Sequence, residues 1–377
     1  MRKRIVMLTG AMLGAASVVV RSSSAQPAAA PSIADRPNQV TGDEITAAQQ
    51  AAVERGLAWL ASKQGADGSY GSGGGFQRHA GITALAGLAF MQNGNLPNRG
   101  RYGAQVRKCL DFVLASCQES GLVASDMTNS PMYGHGFATL FLGEVYGMTG
   151  DESVKEKLTK AVRLIERSQN AEGGWRYQPA PLDADISVTI CQVMALRAAR
   201  DAGIKVDRVV IDKSVAYVRA CQNADGGFSY TARDGGGGSG FARSAAGVAA
   251  LYYAGIFQGD DLERGLKYLA QFTPAGRPGA AGGGMGIGQP MGIANAEVEG
   301  HYFYGHYYAV QAMFLAGGDY WRTFYPALRD QLVQRQDKAT GRWTDNVSDD
   351  YATSMALIIL QMPNRYLPVY AGKGPGG

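Results

Sequence analysis

The sequence predicts an all-α fold in which six outer and six inner helices close into a ring, an α/α toroid. Two observations predict it. A turn motif recurs along the chain, and the helical patterns between copies alternate between half-polar and wholly apolar.

The motif reads Gln64-Gly65-Ala66-Asp67-Gly68-Ser69-Tyr70 in its first copy. It recurs as Gln169-Asn170-Ala171-Glu172-Gly173-Gly174-Trp175 and as Gln222-Asn223-Ala224-Asp225-Gly226-Gly227-Phe228. A looser copy from Gln336 to Trp343 carries one inserted residue, and Gln118 and Gln271 head two degenerate copies without the aromatic. Successive glutamines lie about 50 residues apart, a repeat-architecture period. The longer last step holds the glycine-rich stretch Gly282 to Gly292.

Each unit has the same order. An outer helix runs up to the Gln, a glycine turn follows, and an inner helix comes next. The outer helices are expected over 46–63, 104–117, 151–168, 207–221, 259–271 and 320–335. They mix charges with one apolar stripe, such as Val154, Leu158, Val162 and Ile165, so one face is exposed. The inner helices are expected over 80–93, 134–147, 185–202, 242–254, 305–317 and 350–361. They are apolar on most faces, as in Ala245 to Leu251, and must lie between neighbours. A linear solenoid needs polar terminal caps. The last inner helix, Met355 to Leu360, is as apolar as the middle ones, so closure against the first repeat is expected.

The turn chemistry points to stability. A glycine just past a helix supplies the left-handed cap. The aromatic packs beneath a helix pair, and the Gln is expected to bind backbone groups left open at helix ends.

Gln-x-x-x-Gly-Gly-aromatic repeats at this spacing resemble the QW repeats of squalene–hopene cyclases and the related repeats of protein prenyltransferase β-subunits. The resemblance spans about residues 46–370. It implies a ring around an apolar cavity with functional groups at inner-helix N-termini. One fold hosts many activities, so the function stays open.

The candidate site residues are read at those N-termini. Class II cyclases of this kind use Asp-x-Asp-Asp, whereas this chain has Asp183-Ala184-Asp185-Ile186, with Ile186 in place of the last carboxylate. Asp183 and Asp185 are therefore weak acid candidates, and Asp185 followed by Ser187 also reads as a helix cap. His79, His135 and His306 hold similar places in three repeats, Arg243 in a fourth, and Asp350 with Tyr351 in a sixth. Together with His301 and Tyr307 they are expected at the cavity mouth. Tyr302 and His306 would serve as acid and base in a polysaccharide lyase. Imidazoles plus a carboxylate suit zinc. However, histidines from non-adjacent repeats lie across a ring, so no metal site is assigned and the expectation is a protein without a cofactor.

Other features bound the setting. Arg2 to Arg4 and the apolar Ile5 to Val20 read as an export signal over 1–25, cut before Gln26, with a kept anchor as the alternative. A disordered leader over 26–45 and a flexible tail over 371–377 complete the chain, around the toroid of 46–370. The expected location is periplasmic or secreted, with no stable membrane span after cleavage. The charge is only +4 and the basic residues are dispersed, so nucleic acid is not an indicated partner. Cys109 and Cys117 are eight apart on one helix, about 12 Å, too far for a disulfide. The leading expectation is a toroid that binds an apolar small molecule or a polysaccharide in its cavity or mouth. An isoprenoid enzyme and a polysaccharide lyase or hydrolase are the alternatives.

Overall fold

A computed structural model describes residues 44–72, 76–125, 130–232, 237–274, 298 and 300–370. The expected signal, nearly all of the leader, the tail and the glycine-rich stretch lie outside the described residues.

Among the described residues, twelve helices alternate outer and inner in chain order: α1 (Ala47–Lys63), α2 (Ala80–Met91), α3 (Gly103–Ala115), α4 (Pro131–Thr149), α5 (Glu152–Ser168), α6 (Ile186–Asp201), α7 (Arg208–Ala220), α8 (Phe241–Tyr253), α9 (Asp260–Ala270), α10 (Tyr302–Ala316), α11 (Gly318–Arg335) and α12 (Asp349–Leu360). The outer α5 buries only its stripe of Val154, Leu158, Val162 and Ile165 with close neighbours. The inner α2 is buried along its whole length. Two inner helices start earlier than the apolar pattern suggests. Pro131 occupies the first turn of α4, where its missing N–H costs nothing, and the fifth inner helix, rich in aromatics from Tyr302 to Tyr308, begins at Tyr302.

The inner helices close on themselves. α2 packs on α4, α4 on α6, α6 on α8, α8 on α10 and α10 on α12, and α12 packs back on α2. This is a closed toroid rather than a solenoid.

The glutamines of the four copies that carry an aromatic do something other than expected, sending the side-chain amide across to the next repeat, while Gln271 keeps to the Lys267 carbonyl at the end of its own helix. Gln169 donates to the Gly173 carbonyl (2.9 Å) and to the Val210 carbonyl of α7 (2.8 Å). Gln64 joins Gly68 to Gln105 of α3, and Gln222 joins Gly226 to Asp261 of α9. Gln336 reaches the Gly341 carbonyl and Ala52 of α1 at 2.7 and 2.8 Å, which fastens the last repeat to the first. The helix-end carbonyls are met by the aromatics instead. Trp175 Nε1 donates to Ile165 O, Trp343 Nε1 to Leu332 O and the Tyr70 hydroxyl to Leu60 O, each in the last turn of its own outer helix.

Gly173 shows why a glycine stands in the turn. Its φ is +100°, and a Cβ there would lie 2.2 Å from the Lys213 carbonyl of the next outer helix. Both the left-handed backbone and the close approach exclude a side chain.

All four cysteines are free, and Cys109, Cys191 and Cys221 are buried. No helix among the described residues is long and apolar enough to cross a membrane.

Candidate functional site

A cavity of about 560 Å³ opens at the N-terminal ends of the inner helices. α2 contributes Gly81, Ile82 and Leu85, and α4 contributes Tyr133, Gly134 and Phe137. Ser187 comes from α6, Ala242 and Arg243 from α8, Tyr304 from α10 and Tyr351 from α12. Phe76, His79, Ser130, Tyr177, Tyr230, His301 and Val347 complete the described lining from the segments that precede these helices.

Tyr177 and Tyr230 each stand two residues beyond the aromatic of a turn motif. Their carbonyls accept the N–H groups of Met132 and Ile186 at the starts of α4 and α6. That pairing lays each tyrosine over the first turn of the preceding inner helix, beside the mouth.

Most of the tyrosine hydroxyls are engaged within the protein. Tyr133 shares a hydrogen bond with Ser187 Oγ (2.7 Å), Tyr304 donates to Ser187 O (2.7 Å), and Tyr177 and Tyr230 bond to each other. Tyr133 packs edge-on to Tyr304 at 6.5 Å and tilted by 32° to Tyr177 at 6.1 Å. The wall therefore presents ring faces and edges more than free hydroxyls. Burial raises the Tyr133 and Tyr304 pKa values above the usual tyrosine range, so both stay protonated.

Of the residues singled out in the sequence, the structure brings His79, Arg243, His301 and Tyr351 to this cavity. His79 caps α2, its Nδ1 accepting the Ile82 N–H. The others lie elsewhere. His135 is fully buried behind Tyr133 and Phe137, where its Nδ1 accepts the Val123 N–H at 3.1 Å. Burial holds its pKa down to about 4. His306 is packed among Phe241, Tyr302 and Phe324. Tyr302 donates to Gln331 of α11 (2.6 Å), with the Arg335 guanidinium 3.9 Å from its ring centre. These side chains face outward because two residues along a helix turn the direction by about 200°. Tyr133 and Tyr304 look inward, so His135, Tyr302 and His306 look toward the outer layer. Tyr307 lies deeper, with no exposed surface. Asp350 accepts the Gly71 N–H and the Ser72 hydroxyl (2.9 and 3.1 Å), tying α12 to the first turn.

Asp183 is half-exposed and pairs with Arg176 at 2.8 Å. Asp185 is the N-cap of α6, its Oδ1 accepting the Val188 N–H (2.9 Å) and the Ser187 hydroxyl (2.6 Å). It is completely buried, one hydrogen bond behind the cavity wall at Ser187. Burial raises its pKa, against the hydrogen bonds from Ser187 and Val188 and the nearby Tyr230 and Arg176. Among the described lining residues there is no Asp or Glu. No group of three or more His, Cys, Asp or Glu side chains converges among the described residues.

Sequence reading missed Tyr133, Tyr177, Tyr230, Phe76 and Phe137. A tyrosine two places past the motif aromatic, in Trp175–Tyr177 and Phe228–Tyr230, was the legible signal.

The model of the prenyltransferase alpha-alpha toroid domain matches residues 39–123 and 107–282. Comparison with curated proteins found none that matches the sequence. Among solved structures, an inactive variant of an α-1,6-mannanase of Salegentibacter sp. HEL1_6, in complex with α-1,6-mannotriose, is similar with a TM-score of 0.59 at 10% identity, over 84% of this chain and 99% of that one. A D-mannose isomerase is similar with a TM-score of 0.57 at 12% identity, over 86% and 99%. A type II terpene cyclase of Scytonema, in complex with its product merosterolic acid A, is similar with a TM-score of 0.55 at 12% identity, over 84% and 98%. At these identities the likeness is one of fold.

Proposed function

Because this chain belongs to the prenyltransferase alpha-alpha toroid domain family, we propose that its cavity binds an apolar, chain-like ligand and does not transform it. The observation that carries this reading is the wall itself. Aromatic rings from Phe76, Tyr133, Phe137, Tyr177, Tyr230, Tyr304 and Tyr351 face one cavity of about 560 Å³, with no carboxylate among the described lining residues. That volume lies within the range of small-molecule sites. Glycoside hydrolysis commonly uses two carboxylates flanking the bond, and the described lining residues offer none. A cyclase acid must reach the substrate, and Asp185 is held behind Ser187 as a helix cap.

A second reading is an oligosaccharide stacked on the same rings. The mannotriose complex of a structural neighbour favours it. Calorimetric titration with farnesol and with mannotriose separates the two. Saturable farnesol binding without mannotriose binding is expected. The reverse would establish the second reading, and no heat from either would sink both.

Asp185→Asn tests the absence of chemistry. Asn caps a helix about as well as Asp, so melting temperature and farnesol affinity are expected to stay near wild type. Squalene incubated with the wild-type protein is expected to be recovered unchanged. A cyclised product that disappears in Asp185→Asn would make the protein a cyclase.

We further propose that the protein works after export, on the strength of its basic start and the apolar Ile5 to Val20. Intact mass of the protein recovered from the periplasm is expected to begin at Gln26. A soluble species that retains Met1 would contradict cleavage.

A further inference from the structure

One stretch of the cavity wall is polar, and it is organised around Ser187. The Tyr133 hydroxyl lies 2.7 Å from Ser187 Oγ, which in turn lies 2.6 Å from Asp185 Oδ1. The Tyr304 hydroxyl donates to the Ser187 carbonyl at 2.7 Å. Tyr133, Ser187 and Tyr304 line the cavity, whereas Asp185 is completely buried behind them.

The direction of each bond follows from the protons available. Asp185 Oδ1 accepts the Val188 N–H at 2.9 Å. It is therefore an acceptor toward Ser187 as well, whether or not the second carboxyl oxygen carries a proton. The Ser187 proton goes to Asp185. A serine hydroxyl has only one, so Tyr133 supplies the proton of the Tyr133–Ser187 bond. Tyr304 spends its proton on a carbonyl, which only accepts. Burial keeps both phenols protonated. The Tyr133 oxygen is left with lone pairs and no proton to offer, at the cavity surface.

We infer that the Tyr133 oxygen anchors the head of the ligand and that this head is a hydroxyl, a neutral group that donates. The inference rests on the reading of an apolar, chain-like ligand. A carboxylate or an aldehyde has no proton to give, so phenols whose protons are spent offer it nothing here. An ammonium head would donate, but Arg243 lines the same cavity and no Asp or Glu does among the described lining residues.

The test is calorimetric titration with farnesol and with farnesal, which has the same chain and an oxygen that only accepts. Wild type is expected to bind farnesol about fivefold more tightly, the worth of one net hydrogen bond. Tyr133→Phe removes the acceptor, so the preference is expected to vanish while farnesal affinity stays near wild type. Ser187→Ala releases the Tyr133 proton for the ligand, and the ratio is expected to move toward farnesal. A change in packing alone would weaken both ligands alike. Equal affinities in wild type, a preference that survives Tyr133→Phe, or a ratio unmoved in Ser187→Ala would overturn the anchor. So would farnesoic acid or farnesylamine binding more tightly than farnesol. A wild type that binds none of the four compounds would sink the apolar-chain reading itself.

Discussion

Trp175→Ala is expected to lower the unfolding free energy by roughly 3–5 kcal/mol, the range for truncating a large buried aromatic. Trp175 is 1% exposed and sits between α5 and α6. Its indole N–H meets the Ile165 carbonyl at the end of α5 (2.8 Å), and its backbone N–H meets the Thr189 hydroxyl of α6 (3.1 Å). Truncation therefore removes a packed ring and one of the two donors to the Ile165 carbonyl, the Ser168 hydroxyl being the other. Trp175→Phe separates the two effects. It keeps most of the ring and leaves the Ile165 carbonyl with the Ser168 hydroxyl, so about 0.5–1.5 kcal/mol, one net hydrogen bond, is expected. Phe228 shows that the repeat tolerates this arrangement, since it fills the same place without a polar atom. Urea unfolding of the three proteins is the measurement. An alanine variant as stable as wild type would mean that the motif aromatic does not bind the repeats together.

The second large effect depends on pH. Glu144 lies near the C-terminal end of α4, 1% exposed, and accepts the Val369 N–H from the chain that follows α12. Burial raises its pKa from the usual 4.5 to about 8, with Asp201 adding to the rise and the Val369 N–H opposing it. The folded protein therefore holds a proton that the unfolded chain releases above pH 4.5. Stability from this group is fully present below that pH, and it is lost as pH rises through 8. The whole loss is of order 5 kcal/mol. Glu144→Gln keeps the shape and an oxygen for the Val369 N–H but has no charge to bury. Urea unfolding is expected to give similar stabilities for the two proteins near pH 4.5, with Gln increasingly the more stable toward alkaline pH. Parallel profiles would show that Glu144 finds a counter-charge or water when it ionises.

The architecture was legible because it is written locally and many times over. An amphipathic stripe such as Val154, Leu158, Val162 and Ile165 specifies one exposed face, and a segment such as Ala245 to Leu251 specifies burial all round. The repeated Gly-Gly-aromatic turn then sets a common geometry between units. The turn's wiring was less legible. A glutamine after a helix suggests binding at that helix end, yet Gln169 and Gln336 reach the next outer helix, where partners lie 41 and 284 residues away. Sequence neighbours do not announce such contacts.

The sequence by itself determined that the chain forms helix pairs of two kinds, their order, and an apolar interior for the inner set. Tertiary structure alone decided which end of that interior stays open and which side chains reach it. The reason is that inner helices are apolar on both faces. Periodicity can show that His135 and Tyr133 share a helix, but only packing against the outer layer shows that Tyr133 faces the cavity and His135 does not. The placement of the chain after α12 is likewise a tertiary fact: the Val369 N–H meets Glu144 of α4, 225 residues away, a contact that no local pattern announces.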